Sequence, residues 1–393
     1  MEGTLFIVGG GLNASADEVF SALIERAGGK QSRFAFVVSA SGEDPDNTFR
    51  SYAADFEKLG VPADHCALVP LYAPDVLDER GYNAMTGDAD GLCELLEGVT
   101  GVWFTGGDQY FTARCFLRED GSDTRLLQKL REIYASGGAI GGSSAGAAIM
   151  SRVMIGEGSN RGVLSRGVVY GYDHYNPQEE EEDPCAPLLL VRGLGFFPEG
   201  VVDQHFNRRP RLLRTIEACL SNTEGVRMGY AVSEDTALVY RSGEIEVLGS
   251  ACVYLIDCRG GTRSGPGCYE GVHLGAIQKG DRYDTRTGAI SLASEGEASP
   301  WEFARDYVTG GIPGTPIFDD AMERLLRGEG HSLYFCTRRG VPYLKGAAVY
   351  EADEETYLTV LKYFRTQGTR GYRAAHTSFS YIELRVQTVR AEV

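Results

Sequence analysis

Hydrophobic positions in the first two-thirds of the chain follow two alternating patterns. Short, nearly continuous apolar runs are separated by longer stretches in which apolar side chains recur at helical spacing. The runs Leu5-Phe6-Ile7-Val8, Phe34-Ala35-Phe36-Val37-Val38, Ala67-Leu68-Val69-Pro70, Val102-Trp103-Phe104 and Ala139-Ile140 predict strands. Between them, Ala16, Val19, Phe20, Leu23 and Ile24 share one helical face that Gly28-Gly29 closes, and helices are also predicted over 51–59, 89–96 and 124–135. Apolar strands alternating with helices predict an α/β fold, a parallel sheet covered on both faces, with chemistry at the carboxyl ends of its strands. Three glycine-rich turns fall at such ends: Gly9-Gly10-Gly11, Gly106-Gly107 and Gly141-Gly142.

The rhythm breaks over 172–184, which holds Asn176-Pro177 and the acidic run Glu179-Glu180-Glu181-Glu182-Asp183. Such a charge block is a solvated mobile loop, or else a lid that attracts guanidinium groups. Ile245-Glu246-Val247-Leu248 and Val253-Tyr254-Leu255-Ile256 read as hairpin strands, 260–267 as loop, and His273-Leu274-Gly275-Ala276-Ile277 as a strand returning to the core. From 293 to 393 the pattern predicts helices over 318–326 and 354–364 and an alternating strand over 381–389, a small α+β appendage. The chain thus divides into an α/β unit over 1–281 and an extension over 282–393.

Composition narrows the function. The chain has 393 residues, 43% apolar and 24% charged, as in ordinary soluble proteins. A net charge of −17 argues against general binding to nucleic acid or to an anionic membrane. The nine cysteines are scattered with no C-x-x-C pair, which argues against a disulfide framework or zinc site and for a reducing cytoplasm. The N-terminus lacks the basic and apolar regions of a signal peptide, and no apolar stretch reaches the roughly 18 residues of a membrane helix.

The chemistry centres on Gly142-Ser143-Ser144-Ala145-Gly146, which follows the Ala139-Ile140 strand and opens a run of helix formers. Strand, sharp turn and helix make a nucleophile elbow, in which small neighbours expose the Ser144 hydroxyl and helix N–H groups face a developing oxyanion. A serine nucleophile needs a base, and the base an orienting group. Of six histidines, His205 stands out, because the short strand Val201-Val202 delivers Asp203-Gln204-His205-Phe206 at its carboxyl end. Arg208, Arg209, Arg211 and Arg214 follow, a cluster suited to carboxylate capture. Glu234, Asp235 and Asp203 are all candidates to orient the imidazole, and spacing does not choose among them. Gly106-Gly107-Asp108 suits a second oxyanion donor, and Gln109 beside it a substrate amide or carboxylate.

Four blocks together resemble the cyanophycinase and dipeptidase E family of serine peptidases: Phe104-Thr105-Gly106-Gly107-Asp108-Gln109, Gly142-Ser143-Ser144-Ala145-Gly146-Ala147, Asp203-Gln204-His205-Phe206 with its arginines, and Glu234-Asp235-Thr236-Ala237. The resemblance covers about two-thirds of the chain and implies a flavodoxin-like parallel sheet sandwich of the class I glutamine amidotransferase type, with the C-terminal α+β appendage added. It implies Ser144 as nucleophile, His205 as base, Glu234 as third member, and the amides of Gly107 and Ala145 as oxyanion hole. Gln109, Asp203, Gln204, Arg209, Arg211 and Arg214 match positions that line the family's substrate pocket. The implied substrate is cyanophycin, a polyaspartate with arginine on each β-carboxylate, cut from its end to β-Asp-Arg dipeptides by a homodimer. No metal or organic cofactor is implied. Ser143 stands where the family usually carries threonine, and the stretch after Ala293 has no counterpart in the short members.

The expectation is therefore a cytoplasmic serine exopeptidase acting on cyanophycin. Its alternatives are a dipeptidase for other isoaspartyl or aspartyl peptides and a non-catalytic binding protein of the same fold. An α/β-hydrolase esterase orders its residues serine, acid, histidine, which does not fit an acid at Glu234. Gly9-Gly10-Gly11 lacks the G-x-G-x-x-G spacing of a dinucleotide site.

Overall fold

A computed structural model describes residues 2–41, 44–71, 87–175, 186–209 and 211–293, and four later strands. Strands β1 (Thr4–Val8), β2 (Phe34–Val37), β3 (Cys66–Val69), β4 (Gly101–Phe104) and β5 (Ala139–Ser143) form the parallel array expected, in the order β3-β2-β4-β5-β1. Although these runs are apolar throughout, their side chains alternate between two cores. Leu5, Ile7, Val37 and Phe104 face one; Phe6, Val8, Phe36 and Trp103 face the other.

Helices α1 (Ala16–Arg26) and α2 (Pro45–Lys58) cover the second core with Val19, Phe20, Leu23 and Phe56. Helix α2 starts before the apolar periodicity does, because Asp44 accepts a 2.9 Å bond from the Asn47 N–H and Pro45 presets the first turn. On the other face lie α3 (Gln109–Phe116), α4 (Arg125–Ala135), capped by Thr124, and the short α5 (Ala145–Ala148). The helix expected over 89–96 does not form; turns end there in a 3-10 turn at Glu94–Leu96. The run Gly87-Asp88-Ala89-Asp90-Gly91 is turn chemistry, and Asp88 is engaged by the Arg118 guanidinium at 2.7 Å and the Arg125 N–H at 2.8 Å.

Strands β6 (Val153–Glu157), β7 (Val168–Tyr170) and β8 (Leu188–Arg192) make a small separate sheet, with α6 (Asn160–Ser165) between the first two. Next come β9 (Val201–Asp203), α7 (Leu212–Ser221), β10 (Met228–Val232), β11 (Thr236–Arg241), β12 (Glu244–Gly249) and β13 (Val253–Asp257). They precede β14 (Thr262–Gly265), β15 (Cys268–Ile277), β16 (Arg282–Asp284) and β17 (Ala289–Ser291). These strands divide between two sheets. β11, β12, β16 and β17 continue the first sheet beyond β1 with antiparallel pairing, while β9, β10, β13 and β15 build a second. The inner face of the second sheet packs on the first core through Val202, Tyr230, Val232 and Leu255. Its outer face packs on α7, where Val201, Ala231 and Ile256 join Leu212 and Ile216.

Two consequences depart from the sequence pattern. The 245–248 and 253–256 runs do not form a hairpin: β12 pairs with β11 and β16, and β13 with β10 and β15. Their connection carries the chain from one sheet to the other, held by Ser250 N–H on the Asp235 carbonyl at 3.0 Å and Ser233 N–H on the Cys252 carbonyl at 3.2 Å. Part of the loop expected over 260–267 is β14, a short partner of β15.

Beyond β17 the described elements are β18 (Tyr307–Thr309), β19 (Ser332–Cys336), β20 (Tyr357–Arg365) and β21 (Phe379–Arg390), which continue the second sheet in the order β15-β21-β20-β19-β18. The helix expected over 354–364 is therefore largely strand β20. Its run Tyr357-Leu358-Thr359-Val360 is rich in strand formers, and β19 and β21 bond it on both sides. The strand expected over 381–389 lies within β21. The helix expected over 318–326 and the acidic run at 179–183 lie outside the described residues. No helix among the described residues is long and apolar enough to cross a membrane.

Phe56 anchors α2 in a cluster of rings, 5.1 Å from Phe20, 4.7 Å from Phe34 and 5.1 Å from Phe36 between centroids. Truncating a fully buried ring leaves a cavity, so Phe56→Ala is expected to cost about 3–5 kcal/mol in urea unfolding. A loss under about 1 kcal/mol would show that the site collapses freely.

Candidate active site

Ser144 occupies the turn between β5 and α5 at φ 56° and ψ −110°, a backbone conformation that costs a non-glycine residue about 1–3 kcal/mol. Among the described residues, Ser144, His205, Asp235 and Ser242 share a positive φ, and the first three meet in one place. The Ser144 N–H donates to the Val8 carbonyl at 3.0 Å, which anchors the elbow on β1. A Cβ on Gly142 would lie 2.4 Å from the Gly146 carbonyl oxygen, so the turn closes too tightly for a side chain there.

The partners of Ser144 arrive from the second sheet. β9 and β10 are parallel neighbours, with Asp203 opposite Ala231, so both open at the same end. His205 follows β9 and Glu234 follows β10. His205 Nε2 lies 2.8 Å from Ser144 Oγ, and His205 Nδ1 lies 2.7 Å from Glu234 Oε1. With its proton on Nδ1, the imidazole donates to Glu234 and accepts the serine hydroxyl. The Glu234 N–H in turn donates to Asn207 Oδ1 at 2.9 Å. Of the three acids that spacing left open, Glu234 is the one on the imidazole.

Asp235 has another task. Its carboxylate accepts the N–H groups of Asn13 at 2.8 Å and Ser15 at 3.0 Å, and the hydroxyls of Ser15 at 2.9 Å and Ser250 at 2.8 Å. Burial pushes this carboxyl up, but the donors outweigh it and hold it below the usual range. Asp235 also donates its own N–H to the Gly10 carbonyl at 2.9 Å, while the Gly9 carbonyl accepts the His205 N–H at 2.6 Å. Gly9-Gly10-Gly11 is thus a backbone shelf under the relay. At Gly10, where φ is 95°, a Cβ would stand 2.2 Å from His205 Cε1. The signal in the sequence was a triglycine at a strand end; what filled the missing side-chain space was not readable from it.

Burial lowers the His205 pKa to about 4, aided by the charges of Arg209 and Arg211 and opposed by Glu234. Arg209 is exposed, as is Arg208, whose Nε lies 3.8 Å from Glu234 Oε2. Asn207 is a neighbour of the relay that the sequence pattern did not single out, and Arg208 is one that it named only as part of the arginine cluster. The Gly106-Gly107 turn runs beside the serine: a Cβ on Gly106 would lie 3.4 Å from Ser144 Cβ, and the Asp108 N–H holds the turn on the Ala40 carbonyl at 3.0 Å. Ala145 is the first residue of α5, so its N–H has no intrahelical acceptor. Gln109 is buried and donates its side-chain amide to the Gly156 carbonyl. Asp203, Gln204, Arg211 and Arg214 are buried and bond one another.

A serine on a strained elbow, joined through an imidazole to a carboxylate, is the arrangement of a serine hydrolase. Comparison with known proteins narrows that class. The chain belongs to peptidase family S51, whose sequence model matches residues 5–248, and it is a serine-type peptidase. It is 28% identical over 299 residues to the cyanophycinase of Geminocystis herdmanii, covering 73% of this chain and 95% of that one. It is 30% identical over 244 residues to the cyanophycinase of Trichormus variabilis, covering 61% and 68%. Among solved structures, a peptidase from an acI-B1 Actinobacterium aligns with a TM-score of 0.48 at 21% identity, covering 72% of this chain and 97% of that one.

Three outcomes follow from this geometry. Gly10→Ala should lower kcat/KM about 100-fold by displacing the imidazole, with circular dichroism still showing a folded chain. Near-wild-type kcat/KM would show that the shelf does not position His205. A base works only when neutral, and the lowered pKa keeps His205 neutral well into the acid range. The acid limb of kcat/KM should therefore fall near pH 4 rather than near the ordinary histidine value. Arg209→Gln removes a positive charge that disfavours the imidazolium, so the limb should move upward; an unmoved limb would remove Arg209 as a cause.

Proposed function

We propose that the chain is an exopeptidase that hydrolyses cyanophycin to β-Asp-Arg dipeptides, with Ser144 as nucleophile, His205 as general base and Glu234 as the group that orients it. The observation that carries this reading is the continuous relay from Ser144 Oγ through His205 to Glu234 Oε1, at 2.8 and 2.7 Å. Ser144 Oγ attacks the backbone carbonyl carbon as His205 Nε2 takes its proton, and Glu234 stabilises the imidazolium. The amides of Gly107 and Ala145 receive the oxyanion. Collapse breaks the peptide bond, His205 returns the proton to the leaving amine, and water then releases the acyl group by the same route.

Similarity to cyanophycinases supports the substrate assignment. So does Arg209, exposed near the imidazole where a substrate carboxylate would approach. In the same reading the fold is a flavodoxin-like sandwich of the class I glutamine amidotransferase type: β3-β2-β4-β5 follow the flavodoxin order, and β1 takes the fifth place. Residues 282–393 form its extension, and the working enzyme is a cytoplasmic homodimer. The net charge of −17 fits a protein that binds neither nucleic acid nor an anionic membrane.

Release of β-Asp-Arg from cyanophycin is the deciding measurement. The wild-type chain should release it, and Ser144→Ala should lose about 10⁴-fold or more of kcat. Equal hydrolysis by the two would remove Ser144 from the mechanism. A wild-type chain that ignores cyanophycin but cleaves other isoaspartyl peptides would leave the chemistry standing and replace the substrate.

A further inference from the structure

A cluster of aromatic rings stands against the glycine turn beside Ser144. Tyr110 and Tyr175 stack face to face, with centroids 3.8 Å apart and planes 8° from parallel. Phe111 meets Tyr175 edge-on at 6.4 Å, Tyr172 meets Tyr110 edge-on at 5.6 Å, and the Arg114 guanidinium lies 5.5 Å over the Tyr172 ring. Tyr110 and Phe111 belong to the first turn of α3, whereas Tyr172 and Tyr175 come from a short 3-10 turn after β7. That turn is tied down at its start, where the Tyr172 hydroxyl donates to the Arg192 carbonyl. The Tyr175 N–H then donates to the Tyr172 carbonyl at 3.2 Å.

The stack delivers one polar contact to the glycine turn. The Tyr175 hydroxyl donates to Asp108 Oδ2, 67 residues earlier in the chain. Asp108 Oδ1 accepts the Tyr110 N–H at 2.8 Å, which caps α3. Stacking fixes the direction in which the phenol points, and an ionised acceptor strengthens its bond. Asp108 follows Gly107 directly, and its N–H lies on the Ala40 carbonyl at 3.0 Å. The Ser39 hydroxyl, next to Ala40, bonds Thr112 Oγ1 of α3 at 2.9 Å. Gly107 itself is exposed at φ 131°, and a Cβ there would lie 1.9 Å from the Ala40 carbonyl oxygen. Glycine has little conformational preference of its own, so the direction of the Gly107 N–H depends on how its neighbours are held.

We propose that Tyr175 is a positioning residue for the oxyanion hole: through Asp108 it fixes the turn that aims the Gly107 N–H at the reacting carbonyl. This rests on the reading of Ser144 as nucleophile and Gly107 as oxyanion donor. A donor stabilises developing charge best when it is already in place and need not reorganise during the reaction. Ala40 holds the Asp108 backbone and Tyr175 holds its side chain, so the residue after the donor is fixed at two points.

Tyr175→Phe removes the hydroxyl and keeps the ring stack. Phenylboronic acid forms a tetrahedral anion on an active serine, and it reports on the oxyanion hole without the arginyl and carboxylate groups of the substrate. We expect kcat on cyanophycin and affinity for the boronate to fall together, about 10-fold, less than the roughly 10²–10³ that outright loss of a donor costs. KM should stay within about threefold of wild type. The substitution changes no charge, so the acid limb of kcat/KM should stay in place. Asp108→Asn keeps an oxygen for the α3 cap and should show the same paired loss. The double variant should be no worse than the poorer single one, because both remove one link. A raised KM with kcat and boronate affinity unchanged would overturn the proposal and make Tyr175 a substrate contact. So would losses that add in the double variant, or a moved acid limb in Tyr175→Phe, which would place the effect on His205. A wild-type chain that neither cleaves peptides nor binds the boronate would overturn the serine reading itself, and the proposal with it.

Discussion

The imidazole of His205 sets the terms for the rest of the molecule. It is mostly buried, it is paired at both ring nitrogens, and its two partners lie 61 and 29 residues away along the chain. A group removed from water must keep its hydrogen bonds inside the protein, because an unpaired buried polar atom is costly. Three chain segments must therefore converge within tenths of an ångström. Two sheets do this together: β5 brings Ser144 from the first, and β9 and β10 bring His205 and Glu234 from the second. The Gly9-Gly10 backbone joins them, with one carbonyl on His205 and the next on Asp235.

Charge is sorted by burial around this point. The chain is acidic overall, yet arginines crowd the segment after His205. Two of them are buried against Asp203 and Gln204, and two are exposed. Buried cations need fixed partners, which Arg211 and Arg214 find in Gln204 and Asp203, whereas exposed cations retain solvent. A cluster that looks uniform in sequence thus divides by depth into two buried and two exposed guanidinium groups.

Much of the central fold was legible in the chain because β1, β2, β4 and β5 are buried on both faces, and glycine-rich turns follow β1 and β4. The failures have physical causes. Residues 89–96 carry apolar residues at helical spacing, but Asp88, Asp90 and Gly91 make better turns than helix, and the Arg118 guanidinium and the Arg125 N–H hold Asp88 in place. The run at 354–364 is periodic enough for a helix, yet its β-branched and aromatic residues take the strand form once β19 and β21 supply partners. β12 and β13 look like a hairpin locally and belong to different sheets, because pairing is decided by neighbours far along the chain.

By itself the sequence determined the parallel strands, the elbow at Ser144 and a short set of candidate partners, since those depend on local periodicity and turn chemistry. It could not rank Glu234, Asp235 and Asp203, three carboxylates near strand ends. Only the tertiary structure separated them: one on the imidazole, one accepting the N–H groups of Asn13 and Ser15, one locked in a buried ion pair. The reason is that a carboxylate's role is set by its burial and by the donors around it, and both come from residues distant in the chain.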